Sequence, residues 1–148
     1  MLLGKAYNSL DNQRRVIIPK HMRGHLGASA VITRGLDGGL FLFPQEYWLK
    51  LVNNLTHLPF TQKKARDFWR YISNEAYEVQ PDNLGRITLP TSLTELARLQ
   101  KEVVVVGSMQ YIEVWDRDQY HQYLDQSSDH AEEIAESLSW ENQTQTGS

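Results

Sequence analysis

The sequence predicts an α+β fold in which two tandem copies of one small β-rich unit interleave their strands in a common barrel, an intrachain pseudo-dimer with helices between and after the copies. Three observations carry this expectation. A nine-residue segment recurs, each copy continues into a pair of β-prone runs, and the stretch between the copies switches to helical periodicity.

Asp11-Asn12-Gln13-Arg14-Arg15-Val16-Ile17-Ile18-Pro19 recurs 71 residues later as Asp82-Asn83-Leu84-Gly85-Arg86-Ile87-Thr88-Leu89-Pro90. Asp, Asn, Arg and Pro coincide, and apolar residues match at Val16/Ile87 and Ile18/Leu89. At an offset of 72, residues 30–35 align with 102–107, residues 40–43 align with 112–115, and Trp48 falls opposite Tyr120. Three ordered blocks with one single-residue change of offset mark a tandem duplication.

Taken in order, each copy's Asp-Asn pair signals a turn into a short strand, at 15–18 and 86–89. Pro19 and Pro90 end these runs, because proline donates nothing to a ladder yet suits the first turn of a helix. Ser92-x-x-Glu95 is a capping-box pattern that supports a helix through about Leu99. Residues 30–34 with 40–43, and 102–106 with 111–115, read as strand pairs. The loop Gly35-Leu36-Asp37-Gly38-Gly39 supplies glycines for a hairpin turn, and its spacing is not that of a phosphate-binding loop.

Between the copies, Trp48, Leu51, Val52 and Leu55 recur at i, i+3, i+4, i+7, as do Ala65, Phe68, Trp69 and Ile72. Leu58-Pro59-Phe60 separates two helices here, a packed pair whose aromatic stripes we assign to the core. Residues 116–124 mirror the helix after Phe43. Asp129-x-x-Glu132 fits the cap of one more short helix bearing Ala131, Ile134, Ala135 and Leu138, and residues 141–148 read as a disordered polar tail. The resulting division is a first unit at 5–48, a helical connection at 49–75, a second unit at 76–120, and a C-terminal helix and tail at 121–148. A unit of about 45 residues buries too little surface to stand alone, so the two must pack together.

Composition bounds the function. Hydrophobic residues make up 41% and charged residues 22%, an ordinary folded balance rather than a disordered one. No apolar run is long enough to cross a bilayer, the first residues lack a signal-peptide core, and cysteine is absent. These features lead us to expect a protein of a reducing cytoplasm. The net charge of −3 hides a steep asymmetry. Residues 1–35 carry Lys5, Arg14, Arg15, Lys20, Arg23 and Arg34 against Asp11 alone, a local +5. Residues 110–148 carry Arg117 against nine acids, a local −8, and the middle balances. A polyanion meets the local field, not the total.

Asp11…Arg15…Pro19 and Asp82…Arg86…Pro90 resemble the paired Asp-x-x-x-Arg motifs of the MraZ family. Thr33-Arg34-Gly35-Leu36-Asp37-Gly38 with Leu40-Phe41-Leu42-Phe43-Pro44 is similar to that family's first-repeat hairpin. Val104-Val105-Val106-Gly107 with Ile112-Glu113-Val114-Trp115 is similar to its second. The resemblance runs from about Leu3 to Leu124 in the family's order and spacing. It implies two SpoVT-AbrB domains of the swapped-hairpin barrel kind and a homo-oligomeric ring. It implies a transcriptional regulator that binds double-stranded DNA at direct repeats upstream of a division and cell-wall gene cluster including its own gene, usually as a repressor. It also makes the Asp-x-x-x-Arg motif the DNA-contacting element. One position departs from the family pattern: glycine precedes the motif arginine at Gly85, but Arg14 stands there in the first copy. That cation either adds a phosphate contact or alters the turn and the base read by Arg15.

Arginine carries a planar fork that matches O6 and N7 of guanine in the major groove, and a carboxylate beside it restrains its orientation. Arg15 and Arg86 are therefore expected to read bases, with Asp11 and Asp82 orienting them. Lys5, Arg14, Lys20 and Arg23 are expected to contact phosphates, which position without specifying. Asn12 and Asn83 fit turn positions that need a left-handed backbone. The basic first segment leads us to expect the first copy to dominate binding. An isolated Asp–Arg pair would otherwise read as a surface ion pair worth about 0–1 kcal/mol.

No cofactor, metal or small-molecule substrate is expected, and no catalysis. His21 and His25 stand at i, i+4, but no third ligand is evident and the H-E-x-x-H glutamate is missing. The alternative from another class is a ring-forming interaction scaffold or antitoxin-like partner protein using the acidic region 116–141.

Overall fold

The structure, a computed structural model, describes residues 1–138, so the expected tail at 141–148 lies outside the described residues. The chain divides into a unit of residues 1–117 and a second of 118–148. In chain order the elements are β1 (Lys5–Ser9), β2 (Arg15–Ile17), α1 (Lys20–Leu26), β3 (Ala30–Arg34), β4 (Leu40–Pro44), α2 (Gln45–Thr56), α3 (Lys63–Ser73), β5 (Tyr77–Val79), β6 (Arg86–Thr88), α4 (Thr91–Leu96), β7 (Glu102–Gly107), β8 (Ile112–Asp116), α5 (Arg117–Ser128) and α6 (Ala131–Ser137). This is a mixed α+β architecture with antiparallel strand pairing. No helix among the described residues is long and apolar enough to cross a membrane.

Six strands form one sheet in the order β1-β7-β8-β4-β3-β5, and β2 pairs with β6 in a separate ribbon. The two copies exchange their first strands. β1 of the first copy lies on β7 of the second, from Lys5 opposite Val106 to Ser9 opposite Glu102. β5 of the second lies on β3 of the first, with Ala30 opposite Val79. The hairpins β3–β4 and β7–β8 meet through β4 and β8.

The barrel expected from the sequence is not closed, since β1 and β5 stand at opposite edges of the sheet. β5 pairs over only three residues, and beyond it Gln80-Pro81 lead off toward the second motif turn, where proline cannot donate to a ladder. The β2–β6 ribbon covers the core instead. Val16, Ile18, Ile87 and Leu89 from the ribbon segments pack with Ile32, Leu42, Val103, Val105, Ile112 and Val114 of the sheet.

The central strands read as unbroken apolar runs because both faces are covered. Side chains alternate along a strand, so Leu40 and Leu42 face the main core while Phe41 and Phe43 face the other way. There Phe41, Phe43 and Ile72 are buried with Tyr47, Trp48, Leu51, Leu55 and Tyr111 against them. Trp69 Nε1 donates to Leu55 O at 2.7 Å, tying α3 to α2. Thr33, buried, donates through Oγ1 to Ile72 O at 2.7 Å and anchors α3 on β3. Thr33→Val keeps the volume but leaves that carbonyl without its donor. We expect a loss of about 1–3 kcal/mol in denaturant unfolding, the cost of an unsatisfied buried polar group.

Local details differ from the sequence reading. α4 begins at Thr91 directly after Pro90, which puts Ser92 inside the first turn, and no side chain caps the helix. It ends at Leu96, short of Leu99, where Arg98 turns left-handed at φ +52°. In the second unit, α6 begins after His130 without a side-chain cap, so Asp129 does not serve as one. The strand after each motif stops one residue early: Ile18 N–H still donates to Gly85 O and Leu89 N–H to Arg14 O, but the reciprocal Gly85 and Arg14 N–H groups turn to Asp82 O and Asp11 O, so the ladder ends there.

Candidate nucleic-acid interface

Each motif folds into the same turn around its aspartate. Asp11 Oδ1 accepts the backbone N–H of Gln13 and of Arg15, both at 2.9 Å, while Oδ2 accepts Arg15 Nε at 2.6 Å. Asp82 Oδ1 accepts the N–H of Leu84 at 2.9 Å and of Arg86 at 2.8 Å, and Oδ2 accepts Arg86 Nε at 2.8 Å. Backbone bonds close both loops: Arg14 N–H to Asp11 O at 3.0 Å, and Gly85 N–H to Asp82 O at 2.9 Å. Aspartate suits this position because a short carboxylate reaches backbone amides two and four residues on, an Asx-turn extended into a strand.

The left-handed residue of each turn is not the asparagine. Arg14 has φ +58° and Gly85 φ +79°, while Asn12 and Asn83 keep negative φ. The aspartate already holds the early part of the turn, so the reversal falls on the residue just before the strand.

β2 and β6 then pair with Arg15 opposite Thr88, Val16 opposite Ile87, and Ile17 opposite Arg86. The central pair points into the core and is fully buried. The outer face carries Arg15 and Arg86, both partly exposed, beside exposed Ile17 and Thr88. Two aspartate-held arginines therefore stand on one solvent-facing ribbon, related by its pseudo-twofold symmetry. A guanidinium whose Nε edge is held by a carboxylate is restrained before any ligand arrives, so less ordering entropy opposes binding.

Both aspartates are held below the ordinary carboxylate range. The arginine backbone N–H is the largest cause at each site; partial desolvation opposes it, and the arginine side chain and the second amide add to the lowering. A depressed folded value means that the turn contributes stability above the unfolded aspartate pKa and loses it as pH falls through the lowered value. Carbon-13 titration of Asp11 and Asp82 is expected to give midpoints below free aspartate, with the turn amides losing dispersion only below that range.

Of the other cations expected at the site, Arg14 donates through Nε to Leu89 O at 3.2 Å and Arg23 through Nε to Ile18 O at 2.7 Å. Both therefore bond the carbonyls just past the ends of β6 and β2. Lys5 on β1 and Lys20 at the start of α1 are exposed, on the elements directly before and after β2. The sequence reading missed Asn8, whose Nδ2 donates to Ile17 O at 2.8 Å and ties β1 to the ribbon. Nothing in the local sequence marks it. His21 bonds the Leu3 carbonyl at 3.2 Å, and no cluster of three metal-ligating side chains occurs among the described residues.

Comparison with known proteins agrees with this duplicated geometry. A family model described as "MraZ protein, putative antitoxin-like" matches twice, over residues 1–71 and 72–141. A protein of Moorella thermoacetica named Transcriptional regulator MraZ is 42% identical over 138 residues, covering 93% of this chain and 96% of the relative. Proteins of the same name from Halothermothrix orenii and Ligilactobacillus salivarius are 43% and 40% identical with the same coverage. With both halves matched and full-length relatives well above 30% identity, the chain belongs to the MraZ family.

Proposed function

We propose that this protein is a transcriptional regulator that binds double-stranded DNA sequence-specifically through the β2–β6 ribbon. The observation that carries the reading is the pair of aspartate-held arginines on the outer face of that ribbon. A two-stranded ribbon fits the major groove, where an arginine fork finds guanine O6 and N7. In this reading Arg15 and Arg86 read bases, Asp11 and Asp82 orient them, and Lys5 and Lys20 meet phosphates. The relatives' name and the two family units support regulation of transcription. The resemblance extends the proposal to direct repeats upstream of the division and cell-wall cluster, to repression, and to a homo-oligomeric ring of swapped-hairpin type. A ring suits the chemistry, because many weak contacts on spaced repeats gain from effective concentration. No catalysis or cofactor enters the proposal, and it places the protein in the cytoplasm at the nucleoid.

Fluorescence anisotropy with duplex from upstream of the protein's own gene tests it. Binding is expected to be tight, to weaken steeply with salt, and to exceed that for a scrambled duplex. Equal affinity for both duplexes sinks the sequence-specific reading. An antitoxin-like or scaffold role takes its support from the family description, and a protein that binds no duplex at all at low salt would favour it.

A further inference from the structure

The two motif turns share one backbone symmetry but reach the same contact through different side chains. Ile18 N–H donates to Gly85 O at 2.9 Å, and the equivalent Leu89 N–H donates to Arg14 O at 2.8 Å. Residue 14 thus stands to Leu89 as residue 85 stands to Ile18. At the second turn the space above Gly85 is filled by Arg23. A Cβ at position 85 would fall 2.0 Å from the Arg23 Nε that donates to Ile18 O. The residue equivalent to Arg23 in the second copy is Thr94, whose short hydroxyl donates to Thr91 O within its own helix. At the first turn the place of the glycine is taken by Arg14, and its Nε donates to Leu89 O, the counterpart of Ile18 O.

Each of two equivalent carbonyls, one residue before the helix-opening prolines, therefore receives a guanidinium Nε. One comes from α1 of the same copy, across an empty glycine. The other comes from the opposite copy's turn, out of the position that the glycine would occupy. Arg14 holds φ +58° to do this, a conformation that side chains other than glycine, asparagine and aspartate rarely adopt.

We infer that Arg14 and Arg23 are paired positioning residues that fix the two ends of the recognition ribbon by bonding the carbonyls of Leu89 and Ile18, and that Arg14 with Thr94 and Gly85 with Arg23 are two coupled, interchangeable solutions to one contact. This rests on the proposed DNA-reading role of the ribbon. It reassigns Arg14 and Arg23 from contacting phosphate to setting the angle at which Arg15 and Arg86 are presented.

The coupling predicts a rescue. Arg14→Gly relieves the left-handed backbone but empties the contact, and adding Thr94→Arg rebuilds it in the arrangement of the other turn. In anisotropy titrations of the full chain, Arg14→Gly is expected to reduce the preference for upstream over scrambled duplex by about fivefold or more. Arg14→Gly/Thr94→Arg is expected to return to within about twofold of the wild type. The slope of log affinity against log salt should stay constant throughout. A slope reduced by about one in Arg14→Gly identifies a lost phosphate contact and overturns the assignment. A double variant no better than the single overturns the coupling. Amide hydrogen exchange at Arg15 and Leu89, measured without DNA, reads the same exchange independently. Faster exchange in the single variant with protection restored in the double supports the coupling even if the wild type shows no sequence preference, and unrestored protection overturns it.

Discussion

Arg15→Ala is expected to abolish the preference for duplex from upstream of the gene over scrambled duplex, while the molar mass by light scattering stays unchanged. A bidentate arginine–guanine contact discriminates by about 1–3 kcal/mol, or roughly 5- to 150-fold for each copy engaged. The fold should survive the change. Arg15 projects from the outer face of the ribbon, its side chain 28% exposed, and its partner Asp11 is similarly open at 34%. An ion pair so placed contributes about 0–1 kcal/mol to stability. Arg15→Lys separates charge from shape: the lysine retains general affinity but lacks the fork, so its preference should fall almost as far as that of alanine. Arg86→Ala is expected to act in the same direction but less strongly, because Arg15 lies in the segment of local charge +5. Equal losses for the two would remove that asymmetry, and loss of assembly in either would reduce the motif to a structural ion pair.

Ile87→Ala should produce the largest loss of stability. Ile87 is 1% exposed and lies opposite Val16, which is fully buried, at the centre of a ribbon only three residues long. A ribbon of that size is marginal by itself and depends on the apolar pair beneath it. Truncating Ile87 is expected to lose about 2–5 kcal/mol, a large share of the roughly 5–15 kcal/mol that domains possess. Urea unfolding should show the midpoint falling at constant slope, with Ile87→Val losing only about 0.5–1.5 kcal/mol. Both motif turns hang from the same ribbon, so specific DNA binding should fall for both copies together. Unchanged stability would mean that the ribbon does not depend on this pair.

The parts of the fold that were legible in the sequence are those whose causes are local. The aspartate turns, the glycine-marked hairpin at 35–39 and the two amphipathic helices between the copies each carry their determinants within a dozen residues. β1 and β5 do not. Lys5–Ser9 alternates only between exposed and half-buried positions, and it is a strand because β7 offers it a ladder. The capping-box pattern at Ser92 failed because Pro90 started the helix two residues sooner. In the site, the aspartate–arginine pairing was legible from spacing. The Nε bonds of Arg14 and Arg23 to carbonyls were not, since each depends on which copy's backbone lies alongside. Asn8 was invisible for the same reason.

The exchange of first strands also sets a timetable for biosynthesis. Lys5 finds its ladder partner only at Val106, so β1 leaves the ribosome about a hundred residues before β7 exists. At elongation rates of roughly 5–20 residues per second, that is a wait of about 5 s or more. The first hairpin meanwhile lacks both β5 and β8, and its Phe41 and Phe43 face lacks α3 until Ser73 has emerged. The nascent first half therefore offers unpaired strand edges and bare aromatic surface to whatever is nearby, including the first half of a neighbouring nascent chain. Since those edges are built to pair with a near-copy of themselves, crowding on one messenger invites exchange between chains where the finished protein makes it within one.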